Sequence, residues 1–263
     1  MPHALRIASR QHPLVKRFRS LAARRDDDRE ILLDGAHLIQ DAIDAGIPLD
    51  VVLTDGRHAD LARAAGAAGV AVHEATPAVI AAATPVRSPS GVVAIARWGP
   101  APMTRVFDVD PPFLLGLVDV QDPGNAGGVI RAADALDAGG VLALDGTADP
   151  AGWKALRGAM GSTFRVPVAR GTIAEAIALA RQHGFRIAAT AAAQTATIET
   201  VDLTGRWLVL LGNEGAGLAA EVRRQADVQI SVPMRARVES LNVAVTAALI
   251  AAEARRQRTH RHP

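Results

Sequence analysis

Through the first part of the chain, short apolar runs of strand length alternate with stretches whose apolar positions recur at helical spacing. The runs are Glu30 to Leu33, Leu49 to Leu53, Val70 to Val72 and Gly91 to Ile95, and the helical stretches are Leu14 to Arg25, His37 to Ala45 and Ala59 to Ala67. That pattern predicts a small α/β unit led by a helix. Farther on the alternation is more regular. Strand candidates are Phe113 to Val120, Gly140 to Leu144, Phe164 to Val168, Arg186 to Ala189, Trp207 to Leu211 and Val228 to Val232. Helical patterns separate them. One is Ala174 to Gln182, opened by a Thr172-x-x-Glu175 capping box and closed at Gly184, and an Ala-rich helix ends near Arg258. Strand and helix in strict alternation imply a parallel sheet covered on both faces, with ligands beyond the carboxyl ends of its strands.

Between the two series lies Trp98-Gly99-Pro100-Ala101-Pro102, running on to Asp110-Pro111-Pro112. Proline fixes its own φ and biases the preceding residue towards extended backbone, so this stretch reads as a linker. A length of 263 residues suits two domains. The boundaries expected are 1–98, a linker 99–112, and 113–263.

Composition sharpens the picture. Only Lys16 and Lys154 are lysines among 29 basic residues, tyrosine and cysteine are absent, and asparagine occurs three times. The skew matches a GC-rich genome. Asn125, Asn213 and Asn242 all sit in Gly- or Ser-flanked turns at or just beyond strand ends. A scarce amide retained at such places points to work that only an amide can do.

Formal net charge is only +2, but its distribution is uneven. Arg6, Arg10, Lys16, Arg17, Arg19, Arg24 and Arg25 precede the first acidic residue, and Arg255, Arg256, Arg258 and Arg261 crowd the end. Charge alone leaves two readings open, a phosphate-rich partner or a solvated helix face and a frayed tail. Zero cysteine excludes disulfides and thiolate metal sites. No apolar run reaches membrane-spanning length and no signal-peptide pattern opens the chain. The expectation is a soluble cytoplasmic protein without a metal.

Three loops carry the candidate chemistry. The first, Gln121-Asp122-Pro123-Gly124-Asn125-Ala126-Gly127-Gly128-Val129-Ile130-Arg131, gathers backbone N–H groups at a helix start with an arginine beyond. It could bind an anion, or be a tight turn with an exposed arginine. The second, Gly212-Asn213-Glu214-Gly215-Ala216-Gly217-Leu218, follows a buried strand. Its G-x-x-G-x-G order fits neither the dinucleotide fingerprint nor a Walker loop. Glu214 could be a pocket acceptor or a helix-start acid. The third runs from Val232-Pro233-Met234 to Glu239-Ser240-Leu241-Asn242 and into the Ala-rich helix. Ser240 could be that helix's N-cap, which leaves Leu241 and Asn242 unexplained.

Together, N-x-G-x-x-x-R after a strand, L-G-N-E-G-x-G-L, and V-P-M followed by S-L-N closely resemble the three signature motifs of SPOUT-superfamily RNA 2′-O-ribose methyltransferases of the SpoU/TrmH type. The resemblance covers 113 to 257 in order and spacing. Ala148-Asp149-Pro150 through Lys154, Arg157, Gly161 and Phe164 also looks like the family's middle segment. Residues 1–98 are similar to the ribosomal-protein-like substrate-binding domain that often accompanies these enzymes, through Pro13-Leu14-Val15-Lys16 and Leu32-Leu33-Asp34-Gly35-Ala36-His37. There Asp34-Gly35 replaces the usual Glu-Gly.

The resemblance implies a C-terminal parallel-sheet α/β domain with a trefoil knot, an obligate homodimer with composite sites, and S-adenosylmethionine as cofactor. It implies catalytic roles for Asn125, Arg131, Glu214, Ser240 and Asn242. It gives Leu211, Gly212, Asn213, Gly217, Val232, Met234 and Leu241 to the cofactor. RNA, foremost 23S ribosomal RNA with tRNA second, would be held by Lys16, Arg17, Arg19 and Arg24. A guanidinium stays protonated to above roughly pH 12, so Arg131 is read as an electrostatic stabiliser rather than a literal base. Two competing readings are a non-catalytic RNA-binding protein on the same scaffold and an α/β enzyme acting on a small phosphorylated metabolite. The first would need none of Glu214, Ser240 or Asn242. The second leaves the basic N-terminal helix without a purpose.

Overall fold

A computed structural model of the protein describes residues 6–23, 29–192, 196–235 and 237–261. In chain order the elements are β1 (Arg6–Ile7), α1 (Pro13–Ala23), β2 (Glu30–Asp34), α2 (Ala36–Asp44), β3 (Leu49–Thr54), α3 (Ala59–Ala67), β4 (Ala71–Ala75), α4 (Pro77–Ala83) and β5 (Val92–Arg97). They continue with α5 (Met103–Phe107), β6 (Phe113–Val118), α6 (Pro123–Ala135), β7 (Gly140–Leu144), α7 (Trp153–Ala159), β8 (Val168–Gly171), α8 (Ile173–Gln182), β9 (Arg186–Thr190), β10 (Trp207–Leu211), α9 (Ala220–Arg224), β11 (Val228–Ile230) and α10 (Val243–Arg261). The chain forms two compact units, Met1–Gly99 with Ala151–Phe164, and Pro100–Pro150 with Arg165–Pro263.

The first unit is a mixed five-stranded sheet in the order β1-β4-β3-β5-β2. Strands β1, β3 and β4 run parallel, while β5 is antiparallel to both β3 and β2. Successive strand residues face opposite sides of the sheet. Leu32, Leu53 and Ile95 therefore pack with Val15 and Phe18 of α1, while Ile31, Leu33 and Val52 pack with Leu38 and Ile39 of α2. Helix α4 was not anticipated, although Thr76 before Pro77 is a start signal. The Thr76 hydroxyl accepts the Val79 N–H at 3.3 Å.

Two sequence expectations change here. The middle segment, expected in the C-terminal domain, belongs to the first unit: Leu156 of α7 is buried in the α2 cluster, and Phe164 meets Trp98 edge-on with ring centroids 6.1 Å apart. Phe164 thus closes a 3₁₀ turn (Ser162–Phe164), and the strand expected from Phe164 begins instead at Val168. The proline-rich stretch is also not linker throughout. Met103, Val106 and Phe107 recur at i, i+3 and i+4, and α5 buries all three in the second unit's core.

The second unit is an all-parallel six-stranded sheet, order β11-β9-β10-β6-β7-β8. Every residue of β6, β7 and β10 is buried, as expected of parallel strands covered on both faces. Helices α5 and α8 pack into one cluster, and α8 opens with the expected cap, the Thr172 hydroxyl accepting the Glu175 N–H at 3.2 Å. Helices α6 and α10 pack together so closely that a Cβ on Gly128 would meet the Ala244 Cβ at 3.0 Å.

Strands β6 and β10 are central neighbours in register, Leu114 beside Leu208. From β6 the chain passes to β7 on one side, and from β10 it passes to β11 on the other. Their carboxyl ends thus form a topological switch point, where open α/β sheets bind ligands.

Candidate active site

Strand β6 stops at Val118, two residues earlier than its apolar run suggests, because Asp119 adopts a left-handed φ of 57°. The chain then enters α6 at Pro123, with the Asp122 carboxylate accepting the Asn125 N–H at 2.8 Å. Across the switch point, Asn213 Nδ2 donates to the Asp119 carbonyl at 3.0 Å. Asn213 Oδ1 accepts the N–H groups of Gly215 and Ala216, at 2.9 and 3.0 Å. Asn213 therefore fastens the second loop to the first and shapes its own turn. At Gly212 no side chain fits, since a Cβ would lie 2.4 Å from the Gly217 carbonyl carbon.

The other two asparagines join all three loops. Asn125 Nδ2 donates to Glu214 Oε1 at 2.7 Å, and Asn242 Nδ2 donates to Asn125 Oδ1 at 2.8 Å. Asn242 Oδ1 in turn accepts the Ala244 and Val245 N–H groups at 2.9 and 3.4 Å. Asn242, not Ser240, is thus the N-cap of α10, since its oxygen serves the two N–H groups left orphaned at the helix start. The backbone partners fix which way the Asn242 amide faces, and the carboxylate fixes Asn125. Among the described residues, one N–H of each amide and one lone pair of Asn125 Oδ1 are left available.

Beside this chain of amides is a cavity of about 340 Å³. Leu211, Gly212, Gly217, Val232, Met234 and Leu241 line it, with Glu214 and Ser240. Asn213, expected at the cofactor, acts as the fastener instead and does not line the cavity. Thr190, Arg223, Ser231, Glu239 and Thr246 also line it and were not anticipated. Glu239 belongs to the third loop; the other four come from strand ends and helices outside the three loops, and only sheet order brings them there. Arg131 is exposed, six residues after Asn125 and so about 240° round the helix. It does not line the cavity and has no partner among the described residues.

The SpoU rRNA Methylase family profile matches residues 112–252, the span that holds all three loops. The chain belongs to the SpoU rRNA methylase family. Residues 12–94 of the methylase match the MRM3-like substrate binding domain, in keeping with the reading of its first part. An AdoMet-bound rRNA methyltransferase from Sinorhizobium meliloti superposes with a TM-score of 0.87 at 32% identity, over 96% of this chain and 98% of that one. The SpoU methyltransferase AviRb from Streptomyces viridochromogenes, in complex with AdoMet, gives 0.83 at 28%, over 95% and 100%. The 23S rRNA (guanosine(2553)-2'-O)-methyltransferase RlmP of Bacillus subtilis is 29% identical over 93% of this chain and 96% of its own. The methylase is an RNA 2′-O-ribose methyltransferase, and S-adenosylmethionine is its methyl donor.

The cavity suits that donor. Its walls are apolar (Leu218, Ile230, Val232, Leu241), backbone is bare at Gly212, Gly215 and Gly217, and two carboxylates, Glu214 and Glu239, can face positive charge. Leu211, Gly212 and Gly217 would hold its polar atoms through backbone, and Val232, Met234 and Leu241 its apolar surface. Among the described residues no group of three His, Asp or Glu could hold a metal ion, and no helix is long and apolar enough to cross a membrane.

In the first unit, Lys16 and Arg19 of α1 are exposed. Arg17 is engaged within the protein, its guanidinium 2.6 Å from Glu30 and 2.5 Å from Asp50, and these carboxylates hold its pKa above the ordinary arginine value. Arg24 lies outside the described residues.

Proposed function

We propose that the methylase modifies one ribose 2′-hydroxyl of 23S ribosomal RNA in the cytoplasm, as a homodimer whose sites are composite. The observation that carries this reading is the hydrogen-bonded chain Asn242, Asn125, Glu214, which aligns two amides next to the cavity. When bound, S-adenosylmethionine supplies an electrophilic methyl group on a positive sulfur. A ribose hydroxyl is a poor nucleophile at neutral pH, so the protein must position it and stabilise the charge that develops. The free lone pair of Asn125 Oδ1 accepts the hydroxyl's hydrogen bond and orients the oxygen, and as that oxygen takes the methyl group its proton passes to an adjacent RNA phosphate and on to solvent. The free N–H groups of Asn125 and Asn242 then stabilise that oxygen as it gains negative charge. Glu214 keeps Asn125 from flipping, and Ser240 at the cavity edge contacts the ribose.

Arg131 supplies positive charge, holding a flanking phosphate and steadying the developing alkoxide. Its place on a different face of α6 from Asn125 suits service to the site of a second copy. Val245 and Leu249 of α10, four residues apart, are 47% and 40% exposed, an apolar stripe that a second copy would cover. We assign the trefoil knot of the family to the second unit, with α10 as the threaded end. Lys16, Arg19 and Arg24 contact RNA phosphates while Arg17 braces α1. The 23S assignment is supported by the whole-length likeness to a 23S enzyme and by the matching substrate-binding domain.

The test is transfer of labelled methyl to purified 23S, 16S and transfer RNA from cells lacking the gene. Label in 23S alone, lost with Asn125→Ala, is expected. Label in transfer RNA alone would overturn the substrate assignment.

A further inference from the structure

Arg223, at the end of α9, is the one cation among the described residues that line the cavity. It is half-buried, and its guanidinium has no hydrogen-bond or ion-pair partner among the described residues. Its neighbour Arg224, by contrast, pairs with Glu221 in the same turn. The cavity's remaining charges are the carboxylates of Glu214 and Glu239. One positive and two negative groups mirror the cofactor, which carries one carboxylate and two positive centres, the α-ammonium and the sulfonium.

We infer that Arg223 binds the α-carboxylate of the cofactor's methionine portion and so sets selectivity for ligands that carry an amino-acid tail. This rests on the cavity being the cofactor site. A half-buried guanidinium without an internal partner keeps its donors free, and its planar fork matches a carboxylate with two parallel hydrogen bonds. Among the described residues, the apolar walls and bare backbone offer no other cationic partner for that group. Arg223 is a binding residue, remote in role from the amides that position the hydroxyl.

Titration calorimetry on the full-length protein with S-adenosylhomocysteine and 5′-methylthioadenosine, which lacks the amino-acid tail, tests this directly. Arg223→Leu is expected to weaken S-adenosylhomocysteine about 10- to 100-fold, the loss of a charge-assisted pair, and to leave 5′-methylthioadenosine unchanged. Arg223→Lys should recover part of the loss. Unchanged 5′-methylthioadenosine affinity also reports that the variant is folded. Equal weakening of both ligands, or no weakening of S-adenosylhomocysteine together with a loss of RNA affinity, would overturn the assignment. If the wild-type protein bound neither ligand, the reading of the cavity itself would fail, an outcome distinct from a failure of Arg223 alone.

Discussion

Asn242 performs two tasks that a single substitution can separate. Its Oδ1 caps α10 and its Nδ2 donates to Asn125. Asn242→Asp keeps an acceptor at the cap, where Asp and Asn are equivalent and a negative charge suits the helix dipole, so stability should hold within about 0.5 kcal/mol. It has no N–H to donate, however, and its second oxygen would face Asn125 Oδ1 across 2.8 Å. Asn125 could relieve the clash only by turning its own oxygen towards the Glu214 carboxylate, now 2.7 Å from its nitrogen. Either orientation opposes two acceptors. An unmet acceptor costs about 1 to 3 kcal/mol, which in the closed complex with RNA becomes a fall in kcat of about 10- to 100-fold. Asn242→Ala removes both tasks. It should lose a similar rate and also about 1 kcal/mol of stability, which lowers Tm by a few degrees. Single-turnover methyl transfer and thermal unfolding of the two variants side by side are the assays. A fully active Asn242→Asp protein would refute the amide chain, and a destabilised one would refute the cap.

Gly212→Ala forces a methyl group to within 2.4 Å of the Gly217 carbonyl carbon. The loop must shift, and cofactor affinity measured by calorimetry should fall more than about tenfold. Lys16→Ala with Arg19→Ala should weaken RNA binding, lower the slope of log affinity against log salt by about 2, and leave cofactor binding intact. At the far end of α10, hydrogen bonds from Arg256 and Gln257 hold the Glu253 pKa down at about 2, against an ordinary 4.5. A lowered folded-state pKa gives stability that is complete above the unfolded value and is lost as pH falls towards the folded one. The gap in urea midpoint between wild type and Glu253→Gln should therefore be full above about pH 5 and close as pH drops towards 2. A gap that widened in acid would refute it.

How far these features were legible depends on whether their cause was local. The buried strands Phe113 to Val118 and Trp207 to Leu211 read directly as apolar runs, and the loops after them stood out by glycine spacing. The three scarce asparagines pointed to the site because two of them form its hydrogen-bonded chain and the third fastens its loops. The cap of α10 stayed open because Ser240 and Asn242 are both good caps, and only the fold decides which one meets the free N–H groups. Phe164 looked like the start of a strand because its partner, Trp98, is distant in sequence. Helix α5 hid among prolines, and Arg17 looked free because Glu30 and Asp50 reach it only through sheet pairing. Arg223 carries no local signal at all; it becomes visible only when α9 is seen to border the cavity.

Where the transferred methyl group ends up tests the central claim most directly. RNA labelled by the purified protein, digested to nucleosides and resolved by mass spectrometry, should carry the methyl on ribose. It should then yield a single 2′-O-methylnucleoside, and the linkage beyond it should resist alkali. A methyl found on a base, or no label in RNA although the protein binds S-adenosylmethionine, would contradict the account.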